Sequence, residues 1–272
     1  MTEEPPSPLL IDHARLIGLL GPDAGRFSVD VLAECASTNS FLLERAAAGA
    51  PSGSVVVADR QTAGRGSRGR SWLATPDASL TFSVLWHFPG GIERLSGLSL
   101  AVGVAVVEAL AACGVPDVQL KWPNDILYGD CKLGGILVEV QSDPESAQAV
   151  IGIGLNLRRP PDFVAGPQAL APVALEDIVP QLPERNALLA ALLHALAGVF
   201  DAFADGGFAV LRSRWQTYHA WQERPVNMLR DGKVEVEGAC LGTDEDGALL
   251  VRTATGLERC LSGDLTLRPG AC

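Results

Sequence analysis

Arginine and glycine interleave through residues 61–72, QTAGRGSRGRSW, which sets three glycines and three arginines in twelve residues of a chain with a formal net charge of −11. Glycine lets backbone N–H groups turn toward an anion with no Cβ in the way, and guanidinium groups add fixed, forked donors. The stretch therefore reads either as a cradle for phosphate or carboxylate, or as a flexible surface loop without chemistry. It matches neither G-x-x-x-x-G-K-[ST] nor G-x-G-x-x-G with its following acidic residue, so the two common nucleotide loops are not supported.

Three further segments could do chemistry. In KWPND (121–125), Pro123 pushes Trp122 into an extended conformation, and Asn124 and Asp125 then present an amide and a carboxylate at a turn. That is an ordinary turn between strands, or else Asp125 is a hard oxygen ligand for Mg²⁺ at a nucleotide phosphate. In KLGGILVEV (132–140), Lys132 leads a strand while Gly134 and Gly135 remove side chains where something flat must approach. Lys132 is a solvated surface residue on one reading, and on the other the charge that brings two anions together. GIGLN (152–156) leaves backbone open at Gly152 and Gly154 beside Asn156, or is a bulged core strand.

The elements that must position these residues follow from periodicity. STNSFLLERAAAG (37–49) predicts a helix with Thr38 as N-cap, an apolar stripe from Phe41 and Leu42, and Gly49 at its end. SVVVADRQ is a buried strand that delivers the Gly/Arg stretch, and SLTFSVLWHF alternates as a half-buried strand with Leu80, Phe82, Val84, Trp86 and Phe88 on one face. Residues 96–114 predict a core helix lying across a sheet and ending at Gly114. Strand-like runs then crowd together, with a hairpin turn at Gly129 and Asp130. Residues 158–183 hold six prolines and read as a cover or linker. After it come a helix capped by Asn186 and a second helix holding Trp215 and Tyr218. From Arg224 onward, turn signals at Asp231-Gly232, Asp246-Gly247 and Thr255-Gly256 predict a small β-barrel, which puts a domain boundary near Glu223: 1–223 and 224–272.

Bulk properties exclude several classes. A pI near 4.8 argues against a general nucleic-acid binder, and no apolar run reaches the roughly 18 residues of a membrane span. The start, MTEEPPSPLL, lacks the basic end of a signal peptide, so a cytoplasmic location is expected. The cysteines at 35, 113, 131, 240, 260 and 272 show no C-x-x-C spacing and read as free thiols, and histidines 13, 87, 194 and 219 share no metal-binding motif.

Taken together and in order, STN, QTAGRG, RGRSW, KWPNDI, KLGGILVE and GIGLN resemble the biotin protein ligases, from Ser37 to the end of the chain. That resemblance implies an α+β fold: a mixed β-sheet flanked by helices, related to class II aminoacyl-tRNA synthetases and lipoate ligases, followed by an SH3-like β-barrel. It implies biotinyl-5′-adenylate made from biotin and ATP with Mg²⁺, then transfer of biotin to one lysine of a biotin carboxyl carrier protein or domain. The residues it assigns to biotin are Ser37, Thr38, Asn39, Gln61, Gly64, Arg65, Gly66, Trp72, Lys132, Gly135, Leu137 and Gly152. Those it assigns to ATP and the adenylate are Arg65, Arg68, Arg70, Trp72, Asn124, Lys132 and Asn156, with Lys132 and Arg65 catalytic and Asp125 the Mg²⁺ ligand. Ser67 stands where the family often has an arginine that helps retain the adenylate, and no tryptophan lies between Leu157 and Val210 to stack on adenine. Only 36 residues precede Ser37, fewer than the roughly 55–60 of a winged helix, so no DNA partner is expected. A monomer or homodimer fits equally. Lipoate ligation is the nearest alternative activity, and a catalytically inactive adenylate- or acceptor-binding module is the alternative of another class.

Overall fold

Short β-branched and alternating runs pair into a seven-stranded sheet in this computed structural model, which describes residues 9–142, 146–159, 170–230, 232–262 and 265–270. Asp231, Cys272 and residues 160–169 of the proline-rich cover lie outside the described residues. The strands are β1 (Ser28–Cys35), β2 (Ser54–Gln61), β3 (Ser79–Pro89), β4 (Val118–Lys121), β5 (Asp125–Tyr128), β6 (Cys131–Ser142) and β7 (Ser146–Asn156), in the order β1-β2-β3-β7-β6-β5-β4. The first two run parallel and every other neighbouring pair is antiparallel, so the sheet is mixed as the resemblance implies.

The two faces of this sheet do different work. On one, Val55, Val57, Leu80, Phe82, Val84, Ile151 and Ile153 meet the core beneath α3 (Leu98–Ala112) and α4 (Arg185–Gly206), with α1 (His13–Leu20) packed on α4. Alternation along β3 thus marks its core side correctly. Its other side is not solvated as expected: Leu85 packs with Val56 and Val150 under Leu42 and Ala46 of α2 (Thr38–Ala47), Ser83 is buried against Thr38 and Asn39 at the start of that helix, and Thr81 borders a cavity beside it. α3 is buried almost all round. α4, and α3 with the short turn before it, are long and apolar enough to cross a membrane by length and composition, yet both bury most of their surface inside the protein.

Two helix starts differ from the sequence expectation, because a side chain caps only if its oxygen can fold back onto the N–H groups of the first turn. Ser37, not Thr38, caps α2, its hydroxyl accepting from Ser40 N at 3.4 Å. Glu184, not Asn186, caps α4 by accepting from Asn186 N and Ala187 N, and the Asn186 amide oxygen instead accepts from Asp12 N at 2.9 Å. Gly49 and Gly114 do stop their helices with positive φ.

Beyond α5 (Arg212–Tyr218), the strands β8 (Pro225–Arg230), β9 (Lys233–Thr243), β10 (Leu249–Arg252), β11 (Leu257–Cys260) and β12 (Thr266–Pro269) form an antiparallel sheet in the order β11-β10-β9-β8-β12. Its edges do not pair with each other, so the expected barrel is an open, SH3-like sheet. The turn at 244–247 docks it on the larger sheet's helical layer: Trp122 donates its indole N–H to Gly247 O at 3.0 Å, and Ser96 Oγ donates to Asp246 O at 2.8 Å. Asp244 accepts from Asp246 N and Ala248 N and so braces that turn from within. Trp122 begins the KWPND turn, so the small sheet rests directly on it.

His219, which follows α5, is sealed at this junction, stacked on Trp215 with ring centroids 4.5 Å apart and with Nδ1 4.0 Å from Cys240 Sγ. Burial pushes its pKa down to about 4, against a smaller opposing contribution from Gln222. The folded imidazole is then neutral while the unfolded one binds a proton below about pH 6.5, so its contribution is present above that value and is lost as pH falls toward 4. Between about pH 7 and pH 5 it should remove on the order of 2 kcal/mol of stability. Urea unfolding of wild type and His219→Gln at both pH values checks this; identical pH dependence in the two proteins refutes it.

Candidate active site

Strand register sets the site's floor. Ser83 pairs with Gly152 and Gly152 with Leu137, while Thr81 pairs with Gly154 and Gly154 with Gly135, so these residues of β3, β7 and β6 lie in two rows on one sheet face. Residues this small, beyond the edge of α2, leave room for a ligand to lie on the sheet. The space enclosed is about 500 Å³, within the range of small-molecule sites. The start of α2, the end of β2 and the 61–72 segment wall one side, and residues 170–174 the other.

A continuous polar chain runs along the buried end. Gln61 Oε1 accepts from Thr38 N at 2.7 Å and Thr38 Oγ1 at 3.2 Å. Ser83 Oγ lies 2.7 Å from Thr38 Oγ1 and 2.6 Å from Asn39 Oδ1, and Asn39 Nδ2 donates to Leu137 O and, at 2.9 Å, to Glu139 Oε2. Glu139 also receives the Arg65 guanidinium. Each member fixes the next, so donors and acceptors face the cavity in a set pattern. Gly152 and Gly154, expected to expose backbone, instead accommodate side chains: a Cβ at Gly152 would fall on the Asn39 amide, and one at Gly154 on the indole of Trp72, whose N–H donates to Thr81 Oγ1 at 3.4 Å.

The Gly/Arg stretch is a narrow ribbon rather than a cradle of free N–H groups. Trp72 N donates to Gly64 O at 2.8 Å and Gly66 N to Arg70 O at 2.7 Å, with Arg68 and Gly69 in left-handed conformation at its tip. Positive charge, not bare backbone, is what it presents. Arg65, Gly66, Arg70 and Trp72 line the cavity, and Arg70 is braced by Ser67, donating to its carbonyl at 3.2 Å and its hydroxyl at 3.0 Å. Arg68 departs from expectation: it is drawn out to the small sheet, bonding Thr266 Oγ1 and Leu265 O. Gly64 does not line the cavity; a Cβ there would strike Trp72 O, so its role is to let the ribbon close.

Lys132 and Arg65 open on the same cavity. Main-chain bonds hold Lys132 to the 170–174 strap, its N donating to Ala171 O at 2.7 Å and its O accepting from Val173 N at 3.0 Å. Asn156 Nδ2 donates to Lys132 O and Val173 O, and Asn124 Nδ2 to Ile136 O at 2.7 Å; both side chains brace strands while bordering the cavity. Asp125 is buried between two ammonium groups, Lys121 Nζ at 2.5 Å from Oδ2 and Lys132 Nζ at 2.5 Å from Oδ1. Burial alone would raise its pKa, but Lys121 and Lys132 together hold it far below the usual carboxylate range. With both oxygens already occupied by cations, Asp125 does not suit Mg²⁺. No group of three or more His, Cys, Asp or Glu that could hold a metal occurs among the described residues.

Sequence reasoning missed three cations. Arg158 and Arg159 border the cavity beyond β7, and Arg268 reaches it from β12 of the small sheet. Burial lowers the pKa of Arg268, opposed by Asp125 and reinforced by Arg70. Arg65, Arg70, Lys132, Arg158, Arg159 and Arg268 thus surround a space to which, among its lining residues, Asp125 alone contributes a carboxylate. Such a site favours a ligand with a neutral, hydrogen-bonding end on the polar chain and strongly anionic groups at the mouth.

Two family models match the chain: the biotin/lipoate A/B protein ligase family over residues 32–156, and the biotin protein ligase C terminal domain over 223–268. The bifunctional ligase/repressor BirA of Escherichia coli is 36% identical over 267 residues, covering 97% of this chain and 80% of that protein. A biotin–[acetyl-CoA-carboxylase] ligase of Mycobacterium tuberculosis is 40% identical over 185 residues, 65% of this chain and 66% of that one. Among solved structures, the biotin protein ligase of Aquifex aeolicus in complex with biotin and ATP has a TM-score of 0.75 at 28% identity, covering 89% of this chain and 99% of that one.

Proposed function

We propose, from the premise that the chain belongs to the biotin/lipoate A/B protein ligase family and is an ATP-dependent biotin protein ligase, that its cavity brings biotin's carboxylate onto the α-phosphate of ATP at Lys132 and Arg65. The observation that supports this best is the pairing of a buried polar chain, Gln61–Thr38–Ser83–Asn39, with a ring of cations at the same cavity's mouth. The ureido group of biotin, a neutral donor and acceptor, suits the first; two anions that repel one another need the second.

In this reading a biotin carboxylate oxygen attacks the α-phosphorus, pyrophosphate leaves, and the mixed anhydride forms. Lys132 and Arg65 lie where negative charge accumulates on the α-phosphate oxygens, and charges already held in place by Asp125 and Glu139 stabilise that state with little reorganisation. Arg70, held over the cavity by Ser67, takes the phosphate-retaining place that an arginine at position 67 would fill. Arg268 adds a charge from the small sheet, so we assign 1–223 as the catalytic domain and 224–272 as a domain that completes its nucleotide side. Because Asp125 is committed to lysines, the Mg²⁺ expected with ATP falls to the triphosphate's own oxygens. The neutral amine of an acceptor lysine then attacks the acyl carbon and AMP departs, leaving an amide. Relatives named for acetyl-CoA carboxylase point to a biotin carboxyl carrier domain as acceptor.

Incubation with biotin, ATP, Mg²⁺, a carrier domain and an unrelated bystander protein, read by streptavidin blot, tests the whole reading. Label confined to the carrier is expected, and lipoate in place of biotin should release little pyrophosphate. Label spread over the bystander would overturn the retention assigned to Arg70, and pyrophosphate release with lipoate alone would overturn the choice of acid.

A further inference from the structure

Lys121 is 3% exposed and does not line the cavity, yet its ammonium is inserted into the interior of a protein that has no direct substrate contact for it to make there. It ends β4 and pairs across the KWPND turn with Asp125, the first residue of β5. Its Nζ sits 2.5 Å from Asp125 Oδ2 and 5.7 Å from the centre of the Trp221 ring. Desolvating an ammonium for a structural pair is poor economy, since apolar residues of similar volume commonly serve a fold as well. What Lys121 changes is the other end of Asp125, whose Oδ1 holds Lys132.

We propose that Lys121 is a positioning residue for adenylate formation: by occupying one carboxylate oxygen of Asp125 and cancelling its charge, it fixes Lys132 at the cavity while leaving the Lys132 charge available to the substrates. Without Lys121 a buried, unbalanced carboxylate would compete with the biotin carboxylate and the α-phosphate for the same ammonium, and would repel both. The three groups together carry one net positive charge toward the cavity; two of them alone carry none. This assignment rests on the adenylation reading, from which its test can be separated.

The charged and titratable groups that face Lys121 are Asp125 of β5, Lys132 of β6, His219 beyond α5 and Arg268 of β12. Burial pulls the pKa of Lys121 down to about 8, against the attraction of Asp125. Burial thus makes its charge easier to lose with rising pH than an ordinary lysine's, and an arginine in its place would keep it.

The experiment measures pyrophosphate release at saturating biotin and ATP, from about pH 6.5 to pH 9.5. Lys121→Met should lower kcat on the order of 10- to 100-fold. Removing the competing charge as well, in Lys121→Met with Asp125→Asn, should restore part of that loss, and with thermal unfolding read beside kcat, the rate should fall in soluble Lys121→Met by more than any change in stability accounts for. Wild type should lose rate above about pH 8, and Lys121→Arg should not. Near-wild-type kcat in soluble Lys121→Met, an additive double variant, or an unchanged alkaline fall in Lys121→Arg each overturns the proposal. If Lys121→Met does not fold, the Lys121→Arg profile decides alone. Wild type that releases no pyrophosphate would instead refute the adenylation reading.

Discussion

Pyrophosphate release should fall about 10²- to 10³-fold in Lys132→Met, the loss typical of removing one preorganised charge from a developing oxyanion. Methionine nearly matches the stem of lysine, and Lys132 is 26% exposed at the cavity mouth, so the substitution leaves neither a void nor a buried orphan cation. Asp125 keeps Lys121 as partner, which preserves the turn. The effect should therefore appear in kcat for adenylation with thermal unfolding little changed. Lys132→Arg should rescue poorly, because a planar fork cannot satisfy Asp125 Oδ1 and a phosphate oxygen along one ammonium axis. Transfer from separately supplied biotinyl-adenylate should be far less affected, since that step forms no new bond to phosphorus. Near-normal pyrophosphate release by Lys132→Met would remove Lys132 from the reaction.

Why Lys132 was legible in the sequence while Lys121 and Arg268 were not is a question of what pairing and docking add to a local pattern. Lys132 leads a strand that its β-branched run announces, beside glycines whose lack of side chains has a local meaning. Lys121 looks like the ordinary start of a turn; only the register with Asp125 shows that both are buried. Arg268 lies more than a hundred residues further on and enters the site only because the small sheet docks through Gly247 on Trp122. No local pattern encodes that docking. The same limit misplaced Arg68, which reads as one of three equivalent arginines until the left-handed tip of its ribbon turns it toward β12.

Faces caused the other differences. Period-two alternation told correctly which side of β3 carries Leu80, Phe82 and Val84, but a polar partner row at Thr81 and Ser83 looks the same whether water or a ligand covers it. Only the placement of α2 across half of that side shows it to be a floor. Gly152 and Gly154 were visible as places needing no side chain. What fills them, the Asn39 amide and the Trp72 indole, comes from segments more than a hundred and about eighty residues earlier, brought there by the parallel step from β1 to β2 and the ribbon after it.

Those fillings make Gly152→Val the substitution with the largest expected effect on biotin binding, about 10- to 100-fold weaker from overpacking alone. A Cβ at this position would overlap the Asn39 amide, so Asn39 must move, and with it the contacts to Ser83, Leu137 O and Glu139. Glu139 in turn anchors Arg65, so one methyl-bearing side chain on the floor disturbs both the polar end and the cationic mouth. The valine would also occupy space in the row where Leu137 and Ser83 meet. Gly198→Ala provides the contrast: a Cβ there meets nothing within 4 Å, and alanine favours the α4 helix in which it lies. Calorimetric titration with biotin should therefore separate the two variants, Gly198→Ala matching wild type and Gly152→Val falling well below it. Should Gly152→Val prove insoluble, Gly152→Ala makes the same collision with a smaller group. Biotin affinity equal to wild type in either Gly152 variant would place the ligand elsewhere than on this floor.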